Sequence, residues 1–405
     1  MNVLRIANIV GTRPNLVKMA PLLAAQRARP DVFRPLLVHT GQHRGPAMSE
    51  RFFAELALPT PDITLDAGSR RHADPILAMA EGLERALARL AIDLVLVVGD
   101  VNSTAAGALA AARLKIPLAH VEAGLRSFDA TMPEEANRVL VDTLSDYLFA
   151  SESSGVVNLL EEGRAANTVH HVGNVMIDAL VRFRGRAGGR NPAAAIGIGR
   201  EYGVLTLHRP VNVDCPDALV ALLATVCEIS RRLPIVFPVH PRTRDRLQRS
   251  GLASALAAND RLVLIEPLGY LDMLALLERA VVVLTDSGGV QEETTYLGVP
   301  CLTLRETTER PATVADGTNR VIGTRHERVL AEVDRVLSGD RPPPRRPQLW
   351  DGRAAERVMA VLAEHTGVIA SIPMRQSAFG TDIQSPHSDP VVEGDGALWE
   401  RGTRL

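Results

Sequence analysis

Residues 97–138 read "VVGDVNSTAAGALAAARLKIPLAHVEAGLRSFDATMPEEANR". The stretch opens on the end of an apolar run, passes through an alanine-rich segment of helical length, and returns to a second apolar run, "PLAHVEA". Strand, helix, strand in that order makes a parallel pair, because parallel strands need a crossover of this size. Four carboxylates interrupt the pattern: Asp100, Glu122, Glu134 and Glu135. They fall at the ends of buried elements, although a solvated helix face is the easy place for an acid.

The same rhythm extends in both directions. Short apolar runs recur as "VLRIANIV", "PLLVHT", "LVLVVGD", "PLAHVEA", "YLFA" and "VHHVG", each separated by room for a helix. After a Gly-rich passage the rhythm restarts with "VLTLH", "IVFPVH", "LVLIEP", "VVVLTD", "PCLTL" and "NRVIG". This predicts an α/β chain of two Rossmann-like, doubly wound domains facing each other across a cleft. The expected division is 1–175 for the domain carrying the acids and 176–350 for the second. A helix at 351–366 is expected to cross back to the first, and a flexible tail at 367–405, where apolar periodicity gives way to Ser, Pro, Gly and Asp.

Composition narrows the function. With 45 Lys and Arg against 47 Asp and Glu in 405 residues, the net charge of -2 offers nothing to nucleic acid or an anionic membrane. Three widely spaced cysteines, Cys215, Cys227 and Cys301, fit neither a disulfide framework nor structural zinc, and a cytoplasmic location is expected. No GxGxxG follows the first strand and no GxxxxGK[ST] occurs, which disfavours a dinucleotide dehydrogenase and a P-loop ATPase. The histidines form no metal-ligand spacing, so no metal and no cofactor is expected.

Ligands of open α/β sheets bind at the carboxyl ends of the strands, and most polar oddities of this chain fall there. In "DSGGVQEE", Ser287, Gly288 and Gly289 hand a strand over to a helix, whose free N–H groups and dipole suit a phosphate or diphosphate. Glu292 and Glu293, one turn further on, suit the hydroxyls of a ribose. Arg13, Lys18, Arg209, Arg242, Arg244 and Arg310 bring cations to the same rims from both halves. Glu135 is explained by the helix dipole alone; Asp100 and Glu122 have no such structural reason, and converging acids drive their pKa values apart, as proton transfer requires.

Read together, "GTRPNLVKMAP", "HTGQH", "VVGDVNSTAAGALAA", "HVEAGLRSFDATMPEEANR", "HVGNVMIDAL", "LTLHRPVNVD", "FPVHPRTR" and "LTDSGGVQEETTYLGVPCLTLRETTERP" resemble the non-hydrolysing UDP-N-acetylglucosamine 2-epimerases. The resemblance spans about residues 3 to 365. It implies a homodimer of glycosyltransferase-B-like chains that binds a UDP-sugar and uses neither metal nor NAD. It also implies interconversion of UDP-N-acetylglucosamine and UDP-N-acetylmannosamine by elimination and re-addition of UDP through 2-acetamidoglucal. Carried onto this chain, Asp100, Glu122 and Glu134 become the acid/base set and His208 attends the leaving UDP. Arg13, Lys18, Arg209, His240, Ser287, Gly288, Gly289, Glu293 and Arg310 become substrate contacts. Many members read GTRPE and HRRE where this chain has Asn15 and "HRPVN", so two carboxylates of the family are missing here. A hydrolysing 2-epimerase, an epimerase of a UDP-diacetamido sugar, and a non-catalytic UDP-sugar sensor are the alternatives; a sensor has no need of Asp100, Glu122 and Glu134 together.

Overall fold

The computed structural model describes residues 3–42, 46–65, 74–341, 343 and 345–365, and the expected tail lies outside them. Two sheets organise the chain, and every strand pair in both is parallel. The first consists of β1 (Leu4–Val10), β2 (Phe33–His39), β3 (Ile63–Thr64), β4 (Leu94–Val98), β5 (Leu118–Ala123), β6 (Tyr147–Ala150) and β7 (Val169–His171), ordered β3-β2-β1-β4-β5-β6-β7. The second consists of β8 (Gly203–Thr206), β9 (Ile235–Pro238), β10 (Leu262–Ile265), β11 (Val282–Thr285), β12 (Cys301–Thr303) and β13 (Asn319–Val321), ordered β10-β9-β8-β11-β12-β13.

In each sheet the order reverses once, between β1 and β4 and between β8 and β11, and a crevice opens at the carboxyl ends of those strands. The chain leaves these four strands through residues 11–15, 99–103, 207–210 and 286–289, the segments singled out above for their polar residues. Both faces of the central strands are covered, which explains why β4 reads as five consecutive apolar residues, all buried. The helix Asn102–Leu114 lies close to the sheet because it is small-sided. A Cβ at Gly107 would stand 2.9 Å from Cγ1 of Val97, inside contact distance, so this approach requires glycine.

The described residues all fall in one compact unit, so the sheets are halves of one body. The helix Val175–Gly188 begins where the sequence suggests a boundary, yet it packs on Arg13–Arg27 from the first half and on Tyr270–Glu278 and Gly288–Leu297 from the second. Against it and Arg13–Arg27 rests the last helix, Ala354–Glu364, whose Val358 and Leu362 share an apolar core with Leu4, Ile6 and Val98. Asp178 fastens that helix by accepting hydrogen bonds from the backbone N–H groups of Ala354 (3.0 Å) and Ala355 (2.7 Å). Leu205, Phe237, Leu284 and Leu302 centre the separate core of the second half. Among the described residues no helix is long and apolar enough to cross a membrane.

Candidate active site

Glu122 ends β5 with a backbone φ of 77°, in the left-handed region that a glutamate rarely occupies. The register of β5 against β6 shifts at the same place, between Val121 and Ala123. Strain of this kind persists only where the surroundings enforce it, and it clusters at functional sites. Here it delivers a buried carboxylate to two cations, the ammonium of Lys18 and the guanidinium of Arg310. Lys18 comes from the helix after β1, and Arg310 comes from the loop after β12, in the other half.

Asp100 emerges after β4 and receives a two-pronged bond from Arg138, with Nε at 3.0 Å and Nη2 at 2.7 Å from the same oxygen. Glu134, in the first turn of the helix Pro133–Leu144, is reached across the cleft by Nη1 of Arg209 at 2.8 Å. Its neighbour Glu135 turns inward instead. It accepts from the N–H and hydroxyl of Ser127, from the N–H of Phe128, and from Arg138, which fixes the loop between β5 and the helix.

Charge decides the protonation of these groups. Burial alone would raise the Glu122 carboxyl, but Arg310 and Lys18 outweigh it and hold the group below the usual carboxylate range, against the charge of Asp100. Burial likewise opposes ionisation of Asp100, and Arg138, Lys18 and Arg310 overcome it. The split expected from converging acids is therefore absent between these two, because each touches a cation. It occurs one layer out: burial pushes Glu292 up to about 7, even though Arg310 stands 2.8 Å from it and Asn174 donates to it at 2.8 Å.

In the second half, the N–H groups of His208 and Arg209 both donate to Asp286, and Nδ1 of His208 lies 2.9 Å from the same carboxylate. This fixes the imidazole at the end of β8, with the exposed His240 ring 5.5 Å away. Ser287 precedes the helix Gly288–Leu297 and makes no capping bond with its side chain, so the helix N-terminus is left open to an anion. Gly288 and Gly289 form the first turn. Glu293 is buried facing Tyr270, and burial pushes it up to about 8. The Arg13 guanidinium lies over the Phe52 ring at 5.3 Å.

Lys18, Asp100, Glu122, Glu134, Arg209 and Arg310 thus belong to one network that spans both halves. Arg242 pairs with Asp214 and Arg244 with Glu266, both on the surface of the second half. The sequence reading does not single out Arg138, Arg305, Glu309 or Asp286, all of which hold the named residues in place. One signal was available: Glu135 and Arg138 lie three apart on a single helix, a spacing that puts them side by side. Glu309 gives little local sign, since only Arg305 is near it in the chain and its other partners, Arg138 and Arg209, come from distant segments.

The resemblance implies a glutamate where this chain has Asn15. Asn15 is buried, and its amide donates to the carbonyl of Val98 at 2.8 Å, tying the ends of β1 and β4 together. The missing carboxylate is replaced there by a structural amide.

The family model described as UDP-N-acetylglucosamine 2-epimerase matches residues 25–363. The UDP-N-acetylglucosamine 2-epimerase of Methanocaldococcus jannaschii is 40% identical over 366 residues, covering 89% of this chain and 99% of the relative. The UDP-2,3-diacetamido-2,3-dideoxy-D-glucuronate 2-epimerase of Pseudomonas aeruginosa is 38% identical, covering 89% and 100%. The crystal structure of the Methanocaldococcus jannaschii enzyme in complex with UDP-GlcNAc and UDP superposes with a TM-score of 0.82 at 40% identity, covering 89% of this chain and 100% of that one. A second structure of that enzyme, at 39% identity and the same coverage, gives 0.71. The chain belongs to the UDP-N-acetylglucosamine 2-epimerase family.

Proposed function

We propose that the protein interconverts UDP-N-acetylglucosamine and UDP-N-acetylmannosamine by removing and re-adding UDP. The observation that carries this reading is the meeting of Asp100 and Glu122, from adjacent strand ends, with Lys18 and Arg310, from opposite halves. In the forward step the C2–H bond and the bond from C1 to the diphosphate oxygen break, and a C1–C2 double bond forms. The proton goes to a carboxylate and the electron pair of the C1–O bond leaves with UDP. In the return step UDP oxygen adds to C1, and a proton reaches C2 on the opposite face from another acid.

The proton on C2 has no carbonyl beside it, so departure of UDP must lead and build positive charge on the ring. Carboxylates stabilise that charge, and cations with the open helix N-terminus stabilise the diphosphate. A diphosphate that draws on Lys18 and Arg310 takes countercharge from Glu122. Repulsion between Glu122 and Asp100 then favours a proton on one of them, which supplies the acid for the return. Glu134 and His208 stand at the same rims, His208 toward UDP and Glu134 toward the sugar. The product is a precursor for surface polysaccharide, made in the cytosol by a homodimer; the family resemblance supports these settings.

The diacetamido-uronate relative, nearly as similar, favours a second reading in which the sugar carries a further acetamido group and a carboxylate. Incubation of the protein with each UDP-sugar, followed by NMR of all products, decides between them. UDP-N-acetylmannosamine from the first substrate supports the proposal. Turnover of the diacetamido sugar alone transfers it to the second reading, and release of free N-acetylmannosamine with UDP overturns both.

A further inference from the structure

Glu309 is one of the points where the two halves exchange charge, and it belongs to neither the acids nor the cations assigned above. It is 1% exposed in the loop after β12. One carboxylate oxygen, Oε2, lies 2.8 Å from Nη1 of Arg305 on its own loop. The other, Oε1, lies 3.6 Å from Nη2 of Arg209 and 3.9 Å from Nη2 of Arg138. Arg138 is the residue that grips Asp100, and Arg209 is the residue that grips Glu134. Space for this carboxylate depends on a missing side chain: a Cβ at Gly288 would stand 2.7 Å from Oε1 of Glu309.

We propose that Glu309 is a positioning residue that ties the placement of Asp100 and Glu134, through Arg138 and Arg209, to closure of the second half over the first. The inference rests on the reading of Asp100 and Glu134 as acid/base residues. When the rims meet, Glu309 draws both guanidinium groups to one place, and the acids on their far sides are held with them. When the rims part, Arg138 stays in the first half with Asp100, and Arg209 leaves with Glu309. Proton transfer falls steeply with misplacement, so the acids are competent only when the site is shut and water excluded. Burial opposes ionisation of Glu309, yet Arg305, Arg310, Arg138 and Arg209 hold it well below the usual carboxylate range, so it stays charged throughout the working pH span.

The charge of Glu309 also has a signed effect on Asp100, which faces Arg138, Lys18, Arg310 and Glu122 as well. Glu309 raises the Asp100 carboxyl against the three cations. Removing that charge lets the cations lower it further, and the acid limb of the pH profile moves to lower pH.

The test compares Glu309→Gln and Glu309→Asp with the unaltered protein by turnover, UDP affinity and pH profile. For Glu309→Gln we expect kcat to fall roughly ten-fold or more, the UDP Kd to stay within about three-fold, and the acid limb of kcat/KM to shift downward. Glu309→Asp keeps the charge but withdraws the carboxylate by about 1.5 Å, so the acid limb stays in place and kcat is partly restored. A folded Glu309→Gln with unaltered kcat and acid limb overturns the proposal, as does a loss explained by UDP affinity alone. If Glu309→Gln fails to fold, Glu309→Asp decides: reduced kcat at unaltered UDP affinity supports the role, and full kcat removes it. Asp100→Asn and Glu134→Gln are measured alongside. If they keep full turnover the acid/base reading itself fails, and if they lose it while the Glu309 variants do not, only this inference fails.

Discussion

At the scale of single residues, the site is built from charges that are buried and paired. Arg310 is 3% exposed and serves two buried acids, Glu122 and Glu292. Arg310→Ala therefore leaves Glu292 without its cation and Glu122 with Lys18 alone, at a cost of about 3–5 kcal/mol. Urea unfolding should show that loss and calorimetry a weakened UDP affinity; an unchanged unfolding midpoint would contradict the pairing described. Amide replacements act differently, since they keep size and one accepting oxygen while removing the charge. Asp100→Asn, Glu122→Gln and Glu134→Gln should bind UDP and lose turnover roughly a hundred-fold or more, measured by steady-state kinetics beside calorimetry. The sequence already pointed to these three acids, because carboxylates at the ends of apolar runs lack a cheap structural reason. It could not show which cation each would meet, since Lys18 and Arg310 lie far apart in the chain and converge only when both sheets have formed.

At the scale of elements, helix ends do most of the placing. Pro133 starts the helix that separates Glu134 from Glu135, and one residue of helical rotation sends the first to the cleft and the second to the loop backbone. The sequence assigned Glu135 to the helix dipole, and the structure adds three bonds from the Ser127–Phe128 loop that dipole arguments do not foresee. The last helix shows the reverse case. Its apolar spacing was readable, but its fastening to Asp178 was not, because the acceptor lies in a helix far earlier in the chain. Burial pushes the Asp178 carboxyl up to about 6 despite the two N–H donors. A group with a raised pKa binds its proton more tightly in the folded state, so its contribution to stability falls as pH rises from about 4, the unfolded value, to about 6. Across that window the unfolding free energy of the unaltered protein should lose ground, as pH rises, relative to that of Asp178→Asn, which lacks this component. An identical pH dependence in both would show that Asp178 is not titrating there.

At the scale of the whole molecule, the strand runs in the sequence were enough to announce two parallel sheets, and their strand ends enough to locate the rims. The joint between the sheets was less legible, because the helix Val175–Gly188 packs on both halves and belongs to neither by pattern alone. Across the cleft the halves are held by opposite charges, Glu122 with Arg310 and Glu134 with Arg209. Ion pairs of this kind exchange partners at modest cost, so a diphosphate that competes for Arg310 must act on the cleft as a whole. Small-angle scattering with saturating UDP should report a smaller radius of gyration than without it, and identical curves would count against closure. If these halves close in order to move a proton at carbon 2, the most direct measurement is the hydrogen found there after turnover in deuterated water. Solvent deuterium at carbon 2 of the epimerised UDP-sugar is the predicted result; retention of the original hydrogen at that carbon would contradict the account.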